Sequence, residues 1–251
     1  MTTITTTPNT PRFCEFCGAE LKTKPLELFG GKVIERVIPC SCKGSVEAIQ
    51  AAQRAENDQK RIEAQRRWER DLRRAGIRPR YWGKCQNSDL QSVYSDAISD
   101  GLYIWGEQGR GKTSLACEIG KRALREKQKV LFVNVPSLMR DIRNSYSSNE
   151  TSAEEIVQKC INAKLLILDD LGQENATKDT VEIIYEIVNE RDLDMAPMVV
   201  TSNLRRDKFI SHYSKQLGND EVALNKAKSI VSRLSSLRSC EVKGSDHRIA
   251  R

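Results

Sequence analysis

A chain of 251 residues, 39% hydrophobic and 30% charged, is long enough for one sizeable domain and a small accessory one. Its formal charge of +7 favours a polyanionic partner such as nucleic acid. No apolar run approaches the roughly 20 residues of a membrane span, and "MTTITTTPNTPR" lacks the basic-then-apolar pattern of an export signal, so a cytoplasmic protein with no membrane partner is expected.

Residues 1–12 read as a disordered tail. Residues 13–44 hold two close cysteine pairs, several Gly and Pro, and short strand-like runs such as "KVIERVI". Too few large apolar residues are present for an independent core, so a staple is expected. Cys14-x2-Cys17 and Cys40-x-Cys42 supply four thiolates, which suits a closed tetrahedral Zn²⁺ site with no open position for catalysis. A redox pair is the competing reading, but "CEFC" lacks the βαβ context of a thioredoxin-like site. The remaining cysteines, Cys85, Cys117, Cys160 and Cys240, are dispersed.

Residues 45–77 are rich in Ala, Glu, Gln and Arg and predict a long, mostly solvated linker helix. Within "RRWERDLRRAGIRPR" seven arginines fall between Arg66 and Arg80. Such a run either tracks phosphates or is a solvated face whose Arg stems cover apolar surface. Pro79 disfavours helix at Arg78 and ends the element.

The rest, residues 78–251, alternates strands and helices. "GLYIWG" reads as a buried strand and "KTSLACEIGKRALREKQ" as a helix. "KVLFVNV" is a second strand, and "PSLMRDIRNSYS" starts a helix with Pro at its first turn. "AKLLILDDLG" is a third strand, "KDTVEIIYEIVNERDL" an amphipathic helix and "APMVVTSNL" a fourth strand. From Arg205 onward the text is mostly helical and polar. The pattern predicts an α/β fold, a parallel sheet covered by helices on both faces.

Gly106-x4-Gly111-Lys112-Thr113 fits the phosphate-binding loop in full and lies between a strand and a helix. The candidate cradle runs through Gly106, Gln108, Gly109, Arg110, Gly111, Lys112, Thr113 and Ser114. Its glycines let the backbone wrap closely around phosphate, and the following helix adds its positive dipole end. Lys112 can reach the β- and γ-phosphates of ATP, and the Thr113 hydroxyl can ligate Mg²⁺. "LLILDD" delivers Asp169 toward the Mg²⁺ hydration shell and Asp170 toward the attacking water. Asn203, closing "VVTSN", is expected on the neighbouring strand's end, near the γ-phosphate, or as an Asn satisfying a turn. On "PSLMRDIRNSY", Arg140, Arg143 and Tyr146 offer cations and one stacking ring suited to single strands, or simple packing.

In this order, "GEQGRGKTSLA", "AKLLILDDLG", "VVTSNL" and "IVSRL" resemble the AAA+ P-loop ATPase core of bacterial replicative helicase loaders of the DnaC/DnaI type, over roughly residues 78–251. The transposition helper ATPase IstB is a close relative. The resemblance implies that Asn203 is the sensor 1 residue and that Arg233 of "SRL" is an arginine finger acting on a neighbouring subunit. It also matches Arg248 of "GSDHR" to a sensor 2 arginine and lets "GIRPRYW" close over the adenine. Asp170 departs from the commoner AAA+ glutamate, although acidic pairs are usual in the loader branch, and a shorter base implies slow hydrolysis. Loaders of the DnaI type carry an N-terminal zinc domain that grips the helicase, and the all-cysteine set here departs from a pattern with one His. The implied function is an ATP-dependent loader, a primosome component that self-assembles with ATP and places a hexameric replicative helicase on single-stranded DNA. The alternative is an IstB-like transposition helper acting on duplex DNA.

Overall fold

The structure, a computed structural model, describes residues 13–28, 32–83, 97–147 and 151–243. The chain divides into two compact units, Met1–Arg67 and Trp68–Arg251.

In the first unit, a loop carrying Cys14 and Cys17 precedes an antiparallel hairpin of β1 (Thr23–Leu28) and β2 (Lys32–Val37). Cys40 and Cys42 follow, and then helix α1 (Lys43–Arg74) begins. Among the described residues up to Arg67, only Cys14 and Ser45 are buried. Among these residues there is no apolar core, as the composition of residues 13–44 predicts. Phe16 lies over the start of α1, where a Cβ at Gly44 would come within 2.8 Å of its ring.

In the second unit a five-stranded sheet has the order β4-β5-β6-β3-β7, with every neighbouring pair parallel. The strands are β3 (Leu102–Trp105), β4 (Val130–Asn134), β5 (Leu165–Leu171), β6 (Met198–Ser202) and β7 (Arg238–Glu241). Between them run α2 (Lys112–Arg125), α3 (Val135–Ser145), α4 (Ala153–Ile161), α5 (Lys178–Leu193), α6 (Arg206–Leu217) and α7 (Glu221–Leu234). One apolar cluster packs Leu166, Leu168, Val200 and Tyr103 against α3, α5 and α7. The other packs Leu165, Ile167, Val199 and Ile104 against α2. Successive side chains of one strand thus enter opposite layers, which is why the central strands read as continuous apolar runs.

Three features depart from the sequence expectations or add to them. The region after Arg205 also contributes β7, whose "RSCE" has no strand-like apolar run because it is an edge strand with mostly exposed side chains. The last turns of α1 are not wholly solvated, since Leu72, Ala75 and Ile77 beyond them join the core cluster around α2. Arg191 is fully buried and donates to the carbonyls of Cys160, Ile161, Ala163 and Pro197, tying the end of α4 to the approaches of β5 and β6. Among the described residues no helix is long and apolar enough to cross a membrane.

Candidate nucleotide site and metal centre

The loop from β3 to α2 needs backbone shapes that only glycine takes cheaply. Gly109 and Gly111 have φ of 82° and 90°, and Gly111 is the residue that caps α2. Gly106 passes so close to β7 that a Cβ there would meet the Val242 carbonyl oxygen at 2.5 Å. Lys112 is buried at 5% exposure and its Nζ donates to the Glu107 carbonyl at 2.8 Å. Arg110 pairs with the Glu107 carboxylate. The amino end of α2 and this lysine therefore face the same loop, the arrangement that receives phosphate.

Beside β3 lies β6, and beyond it β5. The pairing of β5 with β6 shifts register between Leu168 and Leu171, where three steps on one strand match two on the other. That bulge falls on Asp169 and Asp170 and re-aims them at the strand end. Asp170 adopts a left-handed φ of 61°, a conformation that Asp tolerates better than longer side chains. Asp169 is buried, and burial raises its carboxyl above the usual range, with the neighbouring Asp170 charge adding to the effect. Hydrogen bonds from Thr201, Thr113 and Asn134 oppose this shift. The Thr113 hydroxyl and the Asp169 carboxylate thus meet, and a divalent cation between them would relieve a crowded pair of carboxylates. The donor set fits Mg²⁺.

Two residues that the sequence reading missed organise these acids. The Thr201 hydroxyl donates to Asp169 Oδ1 at 2.8 Å and accepts the Asp170 backbone N–H at 2.9 Å. Asn134 Nδ2 donates to Asp170 Oδ2 at 3.0 Å, while Asn134 Oδ1 accepts from the Ser137 N–H and hydroxyl and caps α3. An Asn immediately before "VPS" is a helix-start signal, so its capping role was legible, but its second partner was not.

Asn203 follows β6 and is half-buried, at the end of the strand that separates the phosphate-loop strand from the strand of the two acids. Tyr81, in a short 3₁₀ turn over Pro79–Tyr81, is raised by burial, then by the charges of Asp169 and Cys117. The buried Lys121 of α2 pairs with Glu118 and donates to the carbonyls of Tyr81, at 2.9 Å, and Gly83, fastening that segment to the helix. Arg233, in the last turn of α7, rests against α5 of its own chain. Its guanidinium lies 5.2 Å from the Tyr185 centroid and its Nη2 donates to Asn189. Arg248 lies outside the described residues, as do Cys85 and the tail 1–12.

In the first unit the Sγ atoms of Cys14, Cys17, Cys40 and Cys42 all lie within 4.8 Å of one another. Cys14 and Cys42 are 3.7 Å apart, and Cys17 and Cys40 are 3.6 Å apart. A tetrahedron with Zn–S bonds of about 2.3 Å has an edge of about 3.8 Å. The cluster fits one Zn²⁺ held by four thiolates. Gly18, at φ 72°, turns the chain so that its N–H bonds to the Cys14 carbonyl. Backbone N–H groups serve the sulfurs as well, Ser45 donating to Cys42 at 3.4 Å. The Phe16 backbone, chiefly, lowers the Cys14 thiol to about 7.

With this geometry in view, a model of the family described as IstB-like ATP binding protein matches residues 86–249. The chain belongs to that family. Its sequence is 31% identical over 156 residues to "Uncharacterized protein YdaV" of Escherichia coli (strain K12), covering 56% of this chain and 62% of YdaV. It is 28% identical over 150 residues to the replicative helicase loader DnaI of Bacillus subtilis (strain 168), covering 58% of this chain and 46% of DnaI. The chain thus spans about half the length of the curated relatives it matches. A crystal structure of DnaI shares the fold, with a TM-score of 0.55 and 23% identity over 66% of this chain and 95% of that one. The resemblance drawn from the motifs holds for an ATP-binding AAA+ domain with an N-terminal cysteine cluster.

Proposed function

We propose that this protein is an ATPase that uses its nucleotide state to load a replicative DNA helicase onto single-stranded DNA. The observation that carries the reading is the pairing of a phosphate loop and acidic pair in one unit with a four-thiol unit in which, among the described residues, only Cys14 and Ser45 are buried. The second unit supplies an ATP-dependent clock. The first leaves Phe13, Phe16, Leu26, Ile38, Val46 and Ile49 exposed, apolar surface that suits a protein partner. Relatives named as replicative helicase loaders make a helicase the partner of choice.

In this reading Lys112 exchanges the Glu107 carbonyl for the β- and γ-phosphates, and Gly106, Gln108, Gly109, Arg110, Gly111 and Ser114 line the cradle. Thr113 and Asp169 hold Mg²⁺, which supplies charge neutralisation on the phosphates when bound. Asp170, aimed by the bulge and held by Asn134, orients the attacking water and takes its proton. Asn203 reads the γ-phosphate from the adjacent strand end. Arg233, and Arg248 near the C-terminus, complete the site, the former from a neighbouring subunit in an ATP-dependent assembly. Cys14, Cys17, Cys40 and Cys42 hold Zn²⁺ and shape the helicase-binding unit.

The family description favours one competing reading, a transposition helper of the IstB type acting on duplex DNA. Affinities of the full chain for a hexameric replicative helicase, for single strands and for duplex, each with ATP, with ADP and without nucleotide, separate the two. A loader binds the helicase in all three states and single strands best with ATP. Replacing Cys14 and Cys17 removes helicase binding, and Lys112→Ala retains it. Single-strand affinity that ignores nucleotide, or a helicase that ignores the cysteines, puts the transposition-helper reading ahead.

A further inference from the structure

We infer that the arginines closing α1 and the turn after it form a binding surface for the phosphate backbone of nucleic acid. The inference rests on the proposed DNA-dependent function and assigns a surface to it. Arg70, Arg73 and Arg74 are spaced three and four apart, so they share one face of α1. Trp68, Leu72 and Ala75, also spaced four and three apart, take the opposite face, where Leu72 and Ala75 are buried. Arg78 and Arg80 continue the run past the helix end. All five arginines are exposed, whereas Glu69 and Asp71, the carboxylates of this stretch, are partly buried.

The sequence left open whether this run tracks phosphates or is a solvated face covering apolar surface. The arrangement favours phosphate. Apolar burial belongs to the other face, where Leu72 and Ala75 are buried, and among the described residues Arg73 is the one arginine of the five with a ring contact. Among the described residues, Arg70, Arg74, Arg78 and Arg80 have no ion-pair partner, in contrast to Arg61, Arg110, Arg122 and Arg205, each of which has a carboxylate within reach. Cations at a helix carboxyl end also complement the helix dipole, but that effect fades within the last turn. It accounts for Arg73 and Arg74, not for Arg78 and Arg80 beyond the helix.

Arg73 adds pre-organisation. Its guanidinium lies 4.7 Å from the centroid of Trp82, and Trp82 Nε1 is itself fixed by a 2.9 Å bond to the Ile77 carbonyl. A guanidinium held against a ring keeps its N–H edge available to phosphate oxygens. From Arg70 to Arg74 the helix advances about 6 Å, close to the spacing of successive phosphates along a strand, so neighbouring arginines can meet neighbouring phosphates. Guanidinium groups displayed in this way read backbone charge and carry no base specificity.

The test changes Arg70, Arg74 and Arg78 to Gln together in the full chain, which keeps the stems and good helix formers and leaves Arg73 on Trp82. Affinity for an oligothymidylate strand and for a duplex of equal length is measured across a salt series with ATP present. Each lost phosphate contact lowers the slope of log affinity against log salt by about 0.7 on a single strand and about 0.9 on a duplex. A fall of about two is therefore expected on the single strand, or nearly three if the surface engages duplex. The corresponding triple Lys variant should retain the wild-type slope, because a point charge suffices for backbone contact. Unchanged slopes in the Gln variant overturn the surface assignment and leave the loader reading standing. A Lys variant as weak as the Gln variant, or loss of binding to phosphatidylglycerol vesicles without loss on DNA, also overturns it. A wild-type chain that binds neither strand nor duplex overturns both readings.

Discussion

The side-chain amide of Asn134 donates to the carboxylate of Asp170 at 3.0 Å, and the same side chain caps the helix that follows β4. One residue at a strand end thus restrains the acid proposed to activate water and the start of α3. Asn134→Asp separates these tasks. Asp caps helices as well as Asn does, so the start of α3 should be retained. The donor to Asp170 becomes an acceptor, and a third carboxylate joins Asp169 and Asp170. Added negative charge pushes the buried Asp169 carboxyl further in the direction that burial already raises it, so turnover should fail on the acid side at a higher pH than in wild type. Turnover measured from pH 5 to 9 in wild type and variant checks this, and superimposable profiles would remove Asn134 from the site.

Lys112→Ala should abolish tight ATP binding, because Lys112 is the buried cation at the amino end of α2, whereas Arg110 of the same loop is already paired with the Glu107 carboxylate. Asp170→Asn should retain binding and lose turnover, since Asn accepts the left-handed backbone at this position but takes no proton. Equilibrium binding of a labelled nucleotide, set beside steady-state hydrolysis, distinguishes the two effects. Equal hydrolysis rates in all three proteins would sink the assignment.

The phosphate loop and the acidic pair were legible because each is carried by contiguous residues, Gly106 to Ser114 and Leu165 to Asp170. What Asp169 and Asp170 lean on was not. Thr201 lies within an apolar strand and Asn134 at the end of another, and only the sheet order β4-β5-β6 brings both to the acids. The bulge that turns Asp170 was equally hidden, since register shifts leave no local signature in "LLILDDLG". It also gives a physical reason for Asp in place of the commoner Glu. The strand "RSCE" escaped notice because an edge strand with exposed side chains shows no apolar period.

Zinc should be present at one ion per chain and should depend on the four N-terminal cysteines alone. With only Cys14 and Ser45 buried among the described residues of the first unit, metal binding and folding of that unit should be one equilibrium. A strong chelator should therefore release zinc and expose the hairpin to proteolysis, while ATP binding by the second unit persists. Metal analysis of protein purified under reducing conditions checks the stoichiometry. Substituting Cys117, Cys160 and Cys240 should leave the metal content unchanged.

Glu174 is buried, accepts the Gly172 N–H at 2.8 Å and receives the Tyr213 hydroxyl. Burial raises its carboxyl above the usual range despite these bonds. A raised carboxyl means that the folded chain holds its proton more tightly than the unfolded one. Its contribution is complete below the unfolded value, near 4.3, and is lost as pH rises through the folded value. Glu174→Gln removes that dependence, because the amide can accept from Gly172 and donate to the Tyr213 oxygen. Denaturant midpoints at pH 5, 6, 7 and 8 should decline more steeply for wild type than for the variant. Parallel curves would mean that Glu174 carries no such shift.

Arg233 offers the sharpest test of assembly, because its contacts in one chain compete with the role proposed for it in two. Its Nη2 bonds to Asn189, its Nε lies 3.9 Å from Asp192 Oδ2, and that buried Nε has no hydrogen-bond partner. Nη1 also donates to the Ser229 carbonyl at 3.3 Å and the guanidinium lies against Tyr185, so a neighbour's γ-phosphate has to compete with these contacts as well as with Asn189. Arg233→Ala should leave nucleotide affinity nearly intact and depress hydrolysis, since a finger acts on the transition state more than on the bound substrate. Lys112→Ala should be inactive for the opposite reason, having a finger to lend but no phosphate cradle. Mixed together, the two inactive proteins form interfaces in which an intact Lys112 site meets an intact Arg233. Hydrolysis should therefore return on mixing, toward at most about half the wild-type rate per chain, half of the sites being intact, and only under conditions that permit ATP-dependent association. If the mixture stays as inactive as its components while both still assemble with wild type, Arg233 works within its own chain or not at all. Asn189→Ala sharpens the outcome further: by removing one of the contacts that hold the guanidinium in its own chain, it should raise hydrolysis in the assembled state and leave the isolated subunit unchanged.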